Sequence, residues 1–208
     1  MLVVGLTGGI GAGKSAVGQA LRDRGAHLID ADKLSRELLA PDGPALQEVV
    51  SAFGPEVLDP MGRLDRSRLA ELVFADEASR TALEEILHPR INALARERAA
   101  AIGARIPDAV VVYEAPLLLE SGARDQVDRI LVVDAAPEVQ LQRAVARGDR
   151  SADQIRAIMD AQWPRETRLR QADDVVDNNG PWAETETQLD ALMEKYRALA
   201  RQGPGGPA

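Results

Sequence analysis

The stretch "GLTGGIGAGKSAVGQAL" (residues 5–21) follows "MLVV" at the start of the chain. It contains Gly8, four residues, then Gly13, Lys14 and Ser15. Glycines let a backbone turn sharply and aim several N–H groups at one anion; a helix that follows adds its positive N-terminus. In such a loop Lys14 reaches the β- and γ-phosphates of a nucleotide and Ser15 ligates Mg2+. A chance Gly-rich turn would lack the right flanks. Here an apolar run, "LVVGL" (2–6), precedes the loop, and Val17 and Leu21 follow at helical spacing, with Gly25 placed to end the helix. "AHLID" (26–30) then reads as a second strand. The opening is therefore strand, phosphate loop, helix, strand, with a right-handed crossover expected. It says that phosphate binds here and leaves the phosphate's fate open.

Composition narrows the field. A length of 208 residues suits one domain with a small inserted lid. Aromatics are only 3% against 45% hydrophobic residues, so the core must be aliphatic. The absence of cysteine excludes disulfides, thiolate metal sites and a cysteine nucleophile, and fits a reducing compartment. No apolar run approaches the roughly 18 residues of a membrane span, and no basic n-region marks a signal peptide. A cytoplasmic protein with no membrane partner is expected. A net charge of −8 argues against a nucleic-acid partner, which needs a cationic surface. Only three lysines occur (Lys14, Lys33 and Lys195), so arginine is the usual cation here. A lysine at the loop then fits the need for a compact ammonium between phosphate oxygens, where a planar guanidinium does not sit. A guanine-specifying Asn-Lys-x-Asp pattern is missing, which weighs against a GTP switch.

Further strands are expected near 109–114, 129–134 and 174–177, and helices over 33–39, 41–54, 66–76, 77–104, 137–148, 151–162 and 182–202. His88-Pro89 should interrupt the longest of them, because proline lacks a donor and disfavours helix at the residue before it. Alternating strands and helices imply an α/β fold with a five-stranded, mainly parallel sheet covered on both faces.

Several residues then become candidates. "IDADKL" (29–34) puts Asp30 and Asp32 after the second strand, where ligands of parallel sheets bind. On an extended chain both would point the same way. One could take the proton of an attacking hydroxyl and one could hold Mg2+ through water; either could instead cap the helix behind them. Arg143 and Arg147 are four apart and share a helix face suited to a polyphosphate, although most such pairs in an Arg-rich chain are solvated. His88 reads as a capping histidine ahead of Pro89. "DNNG" (177–180) is either a plain turn or a lining for the nucleotide base.

Taken together, "TGGIGAGKS" (7–15), "IDADKLSRELL" (29–39), "LDRSRLAELVF" (64–74), "LHPRI" (87–91), "APLLLESG" (115–122), "ILVVDAAPEVQLQRAVAR" (130–147) and "ADDVVDNNG" (172–180) resemble, in that order, the dephospho-coenzyme A kinases. The resemblance runs nearly end to end. It implies a P-loop kinase core (1–40, 105–136 and 172–202), a helical acceptor domain (41–104), a helical lid (137–171) and a disordered tail (203–208). It implies transfer of the γ-phosphate of ATP, with Mg2+, to the ribose 3′-hydroxyl of dephospho-CoA, by a monomer or small homo-oligomer. Gly9, Ile10, Gly11, Ala12, Gly13, Lys14 and Ser15 would hold the ATP phosphates, with Ser15 on the metal. Asp32 matches the catalytic base and Arg143 a lid arginine on phosphate, with Arg147 beside it. Asn178 and Asn179 fall near adenine. Arg66, His88, Pro116, Leu117 and Glu120 match segments around the acceptor. In many members Ile158 is replaced by a second lid arginine, and Glu114 by Asp.

Overall fold

Strand β1 (Leu2–Gly8) lies at the centre of a five-stranded sheet and is buried along nearly its whole length. The computed structural model describes residues 1–120 and 123–203, with every side chain among them except that of Phe74. The last two residues of "APLLLESG" and the tail beyond Gly203 lie outside the described residues. The other strands are β2 (His27–Asp30), β3 (Val110–Glu114), β4 (Arg129–Asp134) and β5 (Asp174–Asp177). Their order is β2-β3-β1-β4-β5 and every pairing is parallel. The chain leaves β1 toward β2 but leaves β4 toward β5. The crevice between the carboxyl ends of β1 and β4 is thus the switch point at which parallel sheets bind ligands.

The chain divides into two units, residues 1–30 with 98–208, and residues 31–97. In the first, helix α1 (Lys14–Asp23) buries Val17, Ala20 and Leu21 against the sheet. A long C-terminal helix (Trp182–Gln202) adds Leu189, Met193, Tyr196 and Ala200, spaced four, three and four apart along one stripe. As composition demands, this core is almost wholly aliphatic, with Tyr196 its one aromatic.

Tyr196 is not there for bulk alone. Its hydroxyl donates to Asp174 (3.1 Å), which also takes Arg129 (2.8 Å) and Lys195 (2.5 Å). Burial, reinforced by the Asp174 carboxylate, pushes the Tyr196 phenol far above its usual range, so it remains a donor. Burial alone would raise the Asp174 pKa; hydrogen bonds from Arg129 and Lys195 outweigh it and hold the carboxyl below its usual range. A depressed pKa contributes stability that is full above the unfolded value and is lost as pH falls through the folded one. Asp174→Asn should therefore cost about 3 kcal/mol near neutral pH, because two cations lose their shared partner, and should flatten the acid limb of the stability curve. Thermal melts from pH 7 down to pH 3 measure both effects.

The second unit holds α2 (Ala31–Leu38), α3 (Leu46–Phe53), α4 (Arg66–Ala75) and the greater part of α5 (Glu77–Arg105), and has its own core, in which Leu38, Leu39, Val49, Leu69, Ile86 and Leu87 pack together. Two expectations fail here. Helix α2 begins at Ala31 rather than 33 and runs to Leu38, so the extended alternation that would align Asp30 with Asp32 stops at Asp30. Asp30 ends a strand and Asp32 sits in the first turn of a helix. The long helix, Glu77–Arg105, also runs unbroken through Pro89. Proline deletes a single N–H, and close by, the Arg90 side chain donates to the Ile86 carbonyl (2.6 Å), so one more donor reaches the carbonyls of this turn. Arg66, the first residue of its helix, makes a long 3.5 Å contact to the Arg36 carbonyl, and His88 lies mid-helix ahead of Pro89.

Candidate active site

The loop after β1 is shaped by what presses against it. Helix α6 (Pro137–Ala146) follows β4 after only two intervening residues, on the far side of the switch-point crevice. Its Gln140 is buried, donates to the Ala135 carbonyl (2.7 Å) and lies against the loop. At Gly11, where φ is +74°, a Cβ would run into the Gln140 backbone carbonyl. At Gly13, where φ is +100°, it would meet the Asn178 amide nitrogen. Neither position tolerates a side chain, on conformation or on space. Gly11→Ala should abolish measurable nucleotide binding while leaving the fold intact, checked by ATP titration calorimetry beside circular dichroism.

Lys14 Nζ arches back over the loop and donates to the carbonyls of Gly8 (2.8 Å) and Gly9 (3.2 Å). Ser15 Oγ donates to Glu114 Oε1 (2.9 Å) at the carboxyl end of β3. Asn178 is buried and ties three pieces together: its Nδ2 donates to the Ala12 carbonyl (2.8 Å), its Oδ1 accepts from Thr185, and its carbonyl accepts from Arg143 Nη1 (2.7 Å).

A cavity of about 280 Å3 opens here, lined among others by Gly11, Gly13, Arg143, Arg147, Asn178 and Trp182. Two guanidinium groups one helical turn apart, the loop backbone and an aromatic ring thus share one space. That combination offers cations to phosphate and a flat face to a base. The paired arginines are where the i, i+4 spacing puts them. Asn179 does not line the cavity; its side chain holds the turn, accepting from Ala136 N (2.6 Å) and donating to Asp177 (2.5 Å).

The segment after α6 also returns to the loop. Helix α7 (Ala152–Ala161) opens with a reciprocal cap between Ser151 and Gln154. Gln162, just past its end, accepts from the Ile10 amide (2.9 Å). A further helix, α8 (Arg165–Gln171), was not expected. Its Arg165 grips Asp134, at the end of β4, with two bonds of 2.7 and 2.6 Å. Pro116 accepts from Thr7 at its carbonyl (3.3 Å), Leu117 is partly exposed, and Glu120 Oε1 accepts from Trp163 N (3.3 Å).

Glu114, Asp134, Gln140 and Gln162 all touch the loop or its crevice, yet none was a candidate on sequence. Glu114 and Asp134 were findable, since both end parallel strands, the rule that singled out Asp30. Gln140 was findable as a lone polar residue on an otherwise inward helix face. Gln162 carries no local signal.

Comparison with known proteins identifies the family. The family model of dephospho-CoA kinase matches residues 2–184. A Streptomyces avermitilis dephospho-CoA kinase is 49% identical over 205 residues, covering 99% of this chain and 98% of the other. One from Cupriavidus pinatubonensis is 45% identical over 204 residues, 98% of each chain. The solved dephospho-CoA kinase from Campylobacter jejuni superposes with a TM-score of 0.71 at 25% identity, covering 94% of this chain and 97% of that one. The chain belongs to the dephospho-CoA kinase family.

Proposed function

We propose that the chain transfers the γ-phosphoryl group of ATP to the ribose 3′-hydroxyl of dephospho-CoA, the last step of coenzyme A synthesis. One observation carries this: the family match extends past the shared phosphate loop through every acceptor-side motif, from residue 2 to residue 184. A loop alone would fit any small-molecule kinase.

Phosphoryl transfer passes through a loose transition state, so positioning and charge do most of the catalysis. Lys14 and Arg143 are assigned to the negative charge of the phosphates, and the loop backbone to their orientation. Arg147 and Trp182 bound the same cavity, with Asn178 toward the base. Asp32 is assigned to orient the 3′-hydroxyl and accept its proton. By the family resemblance, Pro116, Leu117 and Glu120 are assigned to acceptor binding, and so, separately, are Arg66 and His88.

Among the described residues no cluster of three or more His, Asp or Glu is placed to hold a metal ion. Mg2+ does not need one. It takes one or two protein oxygens and completes its shell with water and phosphate. Ser15 Oγ and Glu114 Oε1, 2.9 Å apart beside the loop, fit that demand. When bound, the ion neutralises charge on the phosphate oxygens.

No helix among the described residues is long and apolar enough to cross a membrane, and a cytoplasmic site suits a reaction that draws on ATP. ADP release should be fast with dephospho-CoA and at least about 100-fold slower with AMP or shikimate, an acceptor discrimination expected where a site pairs buried polar groups with its substrate. Equal rates across these acceptors would sink the acceptor assignment while leaving the loop's role intact.

A further inference from the structure

Arg168, on α8, is only 7% exposed, and its Nη1 is buried without a hydrogen-bond partner. Burying a guanidinium nitrogen without a partner is expensive, which makes the group a candidate for binding an anion. Two carboxylates are close enough to matter, Glu120 and Asp134, but neither bonds it. Asp134 is held at both oxygens by Arg165, and Glu120 Oε2 is itself buried without a partner. Burial lowers the Arg168 pKa and these two acids offset it only in part.

The guanidinium faces the phosphate loop. Its Nη2 lies 3.1 Å from where a Cβ at Gly9 would stand. Lys14 Nζ donates to the carbonyl of that same Gly9. Two cationic side chains therefore reach the same glycine at one end of the loop, where an anion bound between them would be stabilised by both. The helix end of a phosphate loop cradles the α- and β-phosphates. The strand end, at Gly8 and Gly9, is left for the group beyond them.

We propose that Arg168 is a phosphoryl-contacting arginine that donates to the γ-phosphate of ATP and stabilises it during transfer. This rests on the kinase activity proposed above. It assigns a role to α8, outside the helix that carries Arg143 and Arg147. With Gly9 and Ile10 pressed by Arg168 and Gln162, the whole segment 162–168 becomes the wall of the γ-phosphate site.

The test compares wild type, Arg168→Met and Arg168→Lys, with CoA formation, ADP affinity and β,γ-imido-ATP affinity measured on each. Arg168→Met should lower kcat by about 100-fold or more, as losing one charge-stabilising donor does. It should weaken β,γ-imido-ATP about tenfold and leave ADP unchanged, because ADP lacks the group contacted. Arg168→Lys should recover part of kcat. A kcat within threefold of wild type in Arg168→Met, or equal losses for ADP and β,γ-imido-ATP, would overturn the role. Should the methionine variant not fold, Arg168→Lys and a wild-type structure with β,γ-imido-ATP decide it. The guanidinium is expected within hydrogen-bond distance of a γ-oxygen, and finding it elsewhere overturns the proposal. A wild type that forms no CoA would fail the kinase assignment itself, a separate outcome.

Discussion

Lys14→Ala should lower the rate of CoA formation by about 1,000-fold. In the proposed reaction the ammonium is the compact cation between the β- and γ-phosphates, where charge builds as the bond to the leaving oxygen lengthens. In the structure Nζ already lies over the loop, on the carbonyls of Gly8 and Gly9. Alanine keeps the helix, since Lys14 is its first residue and alanine is the better helix former. The loss should thus fall on kcat and ATP affinity and not on stability. Lys14→Arg should rescue little, because a planar fork does not fit where a point charge does. Full activity in Lys14→Ala would contradict the role of the loop.

Asp32→Asn should lower kcat by about 100- to 1,000-fold and leave ATP affinity within about twofold. Asparagine matches the shape of the carboxylate but cannot take the proton of the 3′-hydroxyl. The effect should be smaller than that of Lys14→Ala. In a loose transition state the nucleophile keeps its proton until late, so orientation carries much of the role of Asp32 and the amide preserves part of that. Single-turnover kinetics with prebound ATP separate the two steps. Near-normal turnover would remove Asp32 from the role.

The parallel sheet was legible because its strands are short apolar runs, such as "LVVGL" and "ILVV", consistent with a sheet buried on both faces and alternating with helical segments. β1 runs on to Gly8, two residues past its apolar run, because its partner β4 continues to Val133 there. Periodicity also put Arg143 and Arg147 on one face, and they do line one cavity. What was illegible depended on partners distant in sequence. Helix α8 is too short to show an apolar stripe, and its place is set by Arg165 reaching Asp134, 31 residues away. The helix runs through Pro89 because the local penalty of proline is real but small beside the packing of Ile86 and Leu87 on the same helix. The Asp30–Ala31–Asp32 alternation failed for a similar reason: α2 starts at once, burying Ala31, Leu34 and Leu38. Gln162 could not be found from local pattern, since its side chain accepts from Ile10, 152 residues earlier.

In the proposed reaction the phosphate bound at "GGIGAGKS" goes to one hydroxyl of one acceptor. Incubating the chain with ATP, Mg2+ and dephospho-CoA, then locating the added phosphate by mass fragmentation and 31P NMR, tests it directly. The expected product carries a single new phosphate on the ribose 3′-oxygen, with one ADP released per phosphate transferred. ATP binding with no phosphorylated product, or phosphate found on another hydroxyl, would contradict it.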